Sequence, residues 1–450
     1  MRRQGVGRAL RNTFESLAVR NYRIWFFAAV VTNTGTWMQR VAQDWLVLRI
    51  LTNDSASATG VTTAMQFLPA VFLSVHAGLV ADRVDARRFL MFTQAFMGVV
   101  SAVLALDVLL GHAQLWHVYL AAALTGAAAA YDAPARQIFV ARMVPPENLT
   151  NAVGLNSASF NAARLLGPAA AGLVIAWVGP GWVFLVNALT FLFPTAALAA
   201  MRVAELYRVP RVPRAKGQIR EGLAYVRHRT DLLIIIGIVF VISMLTLNYQ
   251  LTMAAMVRSV FDLQSEAYGM VSSIFAVGSL WGALVAARRK NPRVRTVIVA
   301  AGLLGVTSLL LSLMPTYWTF AVMTIPTGLA VLTLLTSANQ TVQLSTEPEM
   351  RGRVMSLYML AFQGATPLGA LVIGWLSDFW GPRYGIAVGG WAALLVAVVA
   401  GWWARKRWHV DLAYSSSRPF LRTTGPRERA ARAVQSGPGG AVSGDGSGKA

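Results

Sequence analysis

The chain's most informative chemistry lies where it is least expected, inside apolar sequence. Asn33, Thr36, Arg40, Gln43 and Asp44 recur at spacings of three and four, which stacks them on one face of a helix. Arg40 and Asp44, four apart, can pair along that helix. A second stripe of Ser157, Asn161 and Arg164 repeats the pattern, and Asp132 and Arg136 lie together in Tyr131-Asp132-Ala133-Pro134-Ala135-Arg136. Asp44 beside Arg40, and Asp132 opposite Arg164, each carry two readings. One is a permanent ion pair that fixes helix packing. The other is a carboxylate that takes up and releases a proton where water is scarce, coupled to movement of a substrate. The second half of the chain offers hydrogen-bonding groups instead of charges: Asn248, Tyr249, Gln250, Asn339, Gln340 and Gln363. With Trp, Phe and Met abundant, that favours an amphipathic or apolar small molecule over a sugar phosphate.

The elements that carry these residues follow from composition. Of 450 residues, 56% are hydrophobic and only 13% charged, and the mean hydropathy is +0.52. No water-soluble surface can be built from that mixture. A bilayer-spanning helix needs roughly 20 apolar residues. Charge-free stretches of that kind run from residues 24–39 to residues 384–404. Two long ones, 165–201 and 296–346, divide at Gly179-Pro180-Gly181 and near Met314-Pro315-Thr316, where turn residues interrupt apolar sequence.

The expected fold class is therefore an all-α membrane protein with twelve transmembrane helices in two six-helix halves. The expected organisation is an N-terminal cytoplasmic segment (1–20), a first bundle (21–203), a cytoplasmic linker (204–228), a second bundle (229–408) and a disordered cytoplasmic tail (409–450). In the linker, Ile219, Leu223 and Val226 share one face of a short amphipathic helix.

The net charge of +21 is a topology signal. Arg and Lys cluster in alternate loops, which places both termini in the cytoplasm; Arg258 and Arg383 are the exceptions. Because the basic residues sit between apolar runs, nucleic acid is excluded as a partner. The expected partners are membrane lipid, a small-molecule substrate and protons, acting on a monomer. The chain has no Cys, and His76, His112, His117, His228 and His409 show no H-x-x-x-H spacing, so neither metal nor cofactor is expected. The first apolar run is too long for a signal peptide.

The halves show weak similarity at an offset near 200 residues: Pro146-Glu147 with Pro348-Glu349, Gly167-Pro168-Ala169 with Thr366-Pro367-Leu368, and Gly179-Pro180 with Gly381-Pro382. Such duplication is the construction of many secondary transporters. A polytopic membrane enzyme is the rival class. Its diphosphate-binding carboxylates would have to be Asp82 and Asp85, which are swamped by arginines. No Walker loop or pore filter is present.

The loop after the second span reads Gly78-Leu79-Val80-Ala81-Asp82-Arg83-Val84-Asp85-Ala86-Arg87-Arg88. Gly78, Asp82, Arg83, Arg87 and Arg88 match the loop signature of the major facilitator superfamily, which the chain resembles; Asp85 and Ala86 stand where that family has Gly and Arg. Gly167, Pro168 and Gly172 of the fifth span are similar to the glycine–proline motif of its drug/proton antiporters. Residues 35–45 and 132–137, with Asn156, Ser157, Asn161, Arg164, Gly167 and Pro168, resemble the bacterial branch of transmembrane secretion effectors that contains the enterobactin exporter. The resemblance covers about residues 21–408. It implies the major facilitator fold in a bacterial inner membrane, with a cavity lined by spans 1, 4, 7 and 10 and a cytoplasmic latch at the Asp82 loop. The implied activity is proton-coupled antiport of amphipathic compounds or drugs by alternating access, or dedicated export of a siderophore or other secreted metabolite.

Overall fold

A computed structural model describes residues 14–207, 218–287, 294–408, 411–414 and 421–424. The chain begins with a short 3-10 turn, Glu15–Ala18, tied to the start of the fifth long helix by Ser16, whose backbone N–H donates to Asn151 Oδ1 (3.0 Å). The first half then comprises α1 (Arg20–Trp45), which continues as a π-turn at Leu46–Leu51, α2 (Ala56–Arg83), α3 (Ala86–Leu109), α4 (Leu115–Met143), α5 (Leu149–Val178), and the consecutive α6 (Pro180–Thr190) and α7 (Leu192–Ala199). A linker helix α8 (Gln218–Arg227) leads to α9 (Thr230–Leu245) and α10 (Tyr249–Ala255), which ends in a second π-turn at Met256–Val260. Then come α11 (Ser265–Ala287), α12 (Val294–Ser312), α13 (Tyr317–Ser345), α14 (Pro348–Trp380) and α15 (Pro382–Trp408).

Helices dominate because lipid leaves a backbone no partner but itself. Among the described residues, 10 helices are long and apolar enough to cross a membrane. α1 and α4, at 26 and 29 residues, are long enough but are not among them; these helices carry Arg40, Asp44, Asp132 and Arg136. Exposed Trp116, Trp177, Trp182, Trp318, Trp375 and Trp380 cluster near one end of the helices, as an interfacial belt does.

The two halves use the same punctuation. Gly179 and Gly381 end α5 and α14 with φ of 90° and 98°, a region that suits glycine, and Pro180 and Pro382 then start the next helix. At the corresponding places after the two π-turns, Asp54 and Asp262 adopt φ of 73° and 51°.

The halves meet at the end formed by residues 52–55, 179–181, 261–264 and 381. There α2 lies on α14, with Gly60 against Ala370 and Gly374 against Ala56 and Ser57, while α5 lies on α11 through Gly172 and Gly269. Ser265 Oγ donates to the Gly172 carbonyl (3.3 Å) and Ser273 Oγ to that of Leu165 (2.8 Å). Asp378 at the end of α14 accepts from Ala56 N (2.5 Å), Ser57 N (2.9 Å) and Ser55 Oγ (2.9 Å), so one carboxylate caps the α2 N-terminus from the other half. Arg258 reaches Asp54 (3.1 Å) and Asp262 (2.5 Å).

Both exceptions to the loop-charge pattern now have partners: Arg258 bridges the halves, and Arg383 donates to the Ser312 carbonyl (2.9 Å) at the end of α12. The loop that departs from the family signature is also explained. Asp85, with φ of −68°, caps α3 by accepting from Arg88 N (2.9 Å), so no glycine is required there.

Helix α8 forms, with Gly222 against Arg353, Glu221 paired with Arg353, Val226 buried and Leu223 58% exposed. The Ile219 side chain lies outside the described residues. Among the described residues of the tail, β1 (Asp411–Tyr414) and β2 (Leu421–Thr424) pair antiparallel, Asp411 opposite Thr424. Residues 1–13, 208–217, 288–293, 409–410, 415–420 and 425–450 lie outside the described residues, as does the Asp82 side chain.

Candidate functional site

The inner faces of α1 are sorted by what packs on its back. Gly35 lets α6 approach: a Cβ there would come within 2.5 Å of Thr190 Oγ1. Gln39 Oε1 accepts from Ser101 Oγ (2.6 Å) and Asn187 Nδ2 (2.5 Å), and the Thr32 hydroxyl donates to the Thr190 carbonyl (2.8 Å). Those polar contacts hold α1 to α3 and α6. They leave Arg40, Gln43 and Asp44 facing the gap between the halves. Asn33 Nδ2 donates to Ser159 Oγ on α5 (3.4 Å), and Thr36 is half-buried.

A pocket beneath the closed end is lined by Arg40, Gln43 and Asp44 of α1; Thr62, Thr63, Gln66 and Phe67 of α2; Leu247, Asn248, Gln250 and Leu251 around the α9–α10 break; and Thr366 of α14. The first and seventh spans, expected from the resemblance, contribute to this pocket together with the second and eleventh, where glycine contacts bring α2 onto α14. The break between α9 and α10 is held by Thr246, whose Oγ1 donates to the Gly389 carbonyl (2.9 Å), and by Asn248 Nδ2, which donates to the Met244 carbonyl (2.9 Å). A discontinuous helix at a midplane cavity presents backbone groups to whatever occupies it.

Asp44 is buried. It makes no direct ion pair with Arg40. Instead Tyr268 Oη of α11 donates to Asp44 Oδ2 (3.0 Å), while the Tyr268 ring stacks on Trp45 with centroids 6.4 Å apart. The bond therefore crosses from one half to the other. The Arg40 guanidinium lies over Trp37 (4.8 Å) and near Phe67 (5.7 Å), and its Nε is buried without a partner.

Arg164 does not meet Asp132. Its guanidinium lies 5.6 Å from the Trp37 ring and 5.8 Å from that of Phe275 on α11. The glycine–proline motif explains this placement: a Cβ on Gly167 would come within 2.6 Å of Trp37 Cβ, so only glycine allows α5 this close to α1. Pro168 and Gly172 face α11, where the Pro168 carbonyl and the Gly172 Cα pack on Gly269.

Asp132 pairs within its own helix. Arg136 Nη2 and Nε donate to Asp132 Oδ2 (2.6 and 2.9 Å), and Gln94 Nε2 (2.7 Å) and Thr93 Oγ1 (2.9 Å) donate to Oδ1. The Arg136 guanidinium also lies over Trp25 (5.5 Å). This cluster joins α1, α3 and α4 away from the pocket. An i,i+4 partner one turn along α4 outcompetes one on another helix.

The other candidates are dispersed. Asn161 Nδ2 donates to the Ser157 carbonyl on its own helix (2.8 Å). Asn339 Oδ1 accepts from Gln343 (2.5 Å), Gln340 Oε1 is buried without a partner, and Gln363 is exposed; none of the three lines the pocket. In the loop, Arg87 donates to the Leu198 (2.6 Å) and Ala199 (3.0 Å) carbonyls, tying α3 to α7, while Arg83 and Arg88 are exposed and Gly78 is buried. Sequence reasoning missed Tyr268, Trp37 and the α2 lining. Thr62, Thr63 and Gln66 stand at helical spacing and were a readable signal; a single Tyr in an apolar run was not.

Residues 11–428 match the transmembrane secretion effector family. The staphyloferrin A transporter of Staphylococcus aureus is 23% identical over 383 residues, covering 84% of this chain and 94% of the relative. The multidrug efflux pump Tap of Mycobacterium tuberculosis is 27% identical over 369 residues, covering 78% and 86%. Among solved structures, a bacterial homologue of the human lysosomal transporter Spinster superposes with a TM-score of 0.64 at 14% identity, covering 85% of this chain and 95% of that one. Together with its apolar helices, these likenesses place the chain in the transmembrane secretion effector family of major facilitator proteins: it is a multi-pass membrane transporter of small molecules, and not an enzyme.

Proposed function

We propose that the protein is a proton-coupled exporter of small amphipathic compounds. It acts by alternating access in the bacterial inner membrane, with twelve spans and both termini in the cytoplasm. The observation that carries the reading is the hydrogen bond from Tyr268 to Asp44 (3.0 Å). It is a titratable tie between the halves, beside the pocket. Protonation removes the charge that makes such a bond strong and loosens the tie; deprotonation restores it. Rocking of the halves then exposes Asp44 and its pocket to one side at a time. The closed end, where Asp378 and Arg258 bridge the halves, is the extracellular one in this orientation, because the arginine-rich loops lie at the other. The similarity to an efflux pump supports the export direction.

Everted vesicles containing the protein should release protons when the uncharged amphipathic probe 2-naphthamide is added, and Asp44→Asn should abolish that release while Asp132→Asn/Arg136→Gln keeps it. Equal proton movement in wild type and Asp44→Asn would overturn the reading. Dedicated export of a siderophore or other secreted metabolite is the second reading, favoured by the similarity to the staphyloferrin A transporter. Drug susceptibility of a deletion strain, compared with its secreted metabolites, separates the two.

A further inference from the structure

We propose that Arg40 and Arg164 together form a binding site for the anionic group of the transported molecule, with Trp37 as their shared platform. The inference rests on the gap between the halves being the transport path, and it names the chemistry of the cargo. Both guanidinium groups lie within reach of one indole, at 4.8 and 5.6 Å. They come from different helices, α1 and α5, brought together by the glycine at 167. Among the described residues neither makes an ion pair. The nearest carboxylate, Asp44, is engaged by Tyr268, and Arg40 Nε has no partner at all.

Two cations against one carboxylate leave a net positive charge away from bulk water. Such a charge is costly unless something pairs with it. Half-buried Arg136 has Asp132 as its partner. The two guanidinium groups at Trp37 make no ion pair, so the missing anion is supplied from outside. Guanidinium groups present planar forks that suit a carboxylate or phosphate. The flanking rings of Trp37, Phe67 and Phe275 suit an apolar, flat body attached to it. The occupant is therefore an amphipathic organic anion, carried acid end to the arginines. An anionic lipid headgroup shares that chemistry and is the other source the test must separate.

The test uses the full chain in nanodiscs of phosphatidylcholine, without a proton gradient, with binding of 2-naphthoate and uncharged 2-naphthamide measured by calorimetry. Naphthoate should bind about tenfold tighter than naphthamide, a difference of about 1.4 kcal/mol. Arg164→Gln should remove that preference, and Arg164→Lys, which keeps the charge and guards against misfolding as the cause, should retain part of it. Equal affinity for the two probes in the wild type, or an intact preference in Arg164→Gln, would overturn the proposal. If replacing half the lipid with phosphatidylglycerol suppresses naphthoate binding, the arginines hold a lipid headgroup and the cargo assignment falls. Asp44→Asn distinguishes this claim from proton coupling. A variant that loses coupling yet keeps the naphthoate preference leaves the anion site standing, whereas a coupled wild type with no preference removes the anion site alone.

Discussion

Asp44 and Asp132 are both buried carboxylates on helices of the first half, yet their surroundings differ in kind. Asp132 receives bonds from Arg136, Thr93 and Gln94, all within one bundle. In the proposed rocking cycle it would move together with its partners and keep its bonds. Asp44 has one strong donor, Tyr268, on the opposite bundle. Any separation of the halves acts on that bond directly. On the proposed mechanism, burial alone does not mark a coupling residue; what marks it is a partner on the other half.

The largest expected effect falls on stability at Asp132. Asp132→Ala strands the Arg136 guanidinium, and losing one member of a buried pair costs about 3–5 kcal/mol. A thermal melt of the purified protein should show a lower Tm, and adding Arg136→Gln should recover much of it. A single variant as stable as wild type would show that the cluster is not the structural pair described here.

Next comes the bridge. Tyr268→Phe removes a hydrogen bond to a charged group, worth about 1.5–3 kcal/mol, but keeps the ring on Trp45. Transport should become leaky, with more protons moved per substrate exported in vesicle flux measurements, and little change in Tm. Tight coupling in Tyr268→Phe would deny the cross-half bond its role.

The smallest effect concerns the closed end. Asp378→Asn weakens the cap on the α2 N-terminus; charge–dipole contacts of this kind are worth about 0.3–1 kcal/mol. With the end less firmly shut, a cysteine placed at Ser57 should be labelled from outside about two to five times faster, the factor that such an energy gives. Unchanged labelling would mean that glycine packing alone closes it.

Much of this arrangement was legible in the residues. The α1 stripe identified Arg40, Gln43 and Asp44 because period and polarity coincide, and Gly179 and Gly381 announced both their turns and the repeat. What escaped were relationships across the interface. Whether Asp132 pairs with Arg136 or Arg164 depends on how α5 rotates, which Gly167 settles through its contact with Trp37. Tyr268 gave no periodic signal, since one aromatic hydroxyl in an apolar helix does not disturb its pattern. The part played by α2 in the pocket was hard to read for a related reason: glycine contacts such as Gly60 with Ala370 decide which helices meet across the interface, and they leave only a faint mark in hydropathy.

The most direct test of the coupling claim is proton release by the purified protein itself, followed with a pH-sensitive dye in weakly buffered detergent as uncharged 2-naphthamide is titrated in. Wild type and Asp132→Asn/Arg136→Gln should both release protons on binding, and Asp44→Asn should bind 2-naphthamide with none released. Proton release from Asp44→Asn equal to that of wild type would contradict the assignment of Asp44.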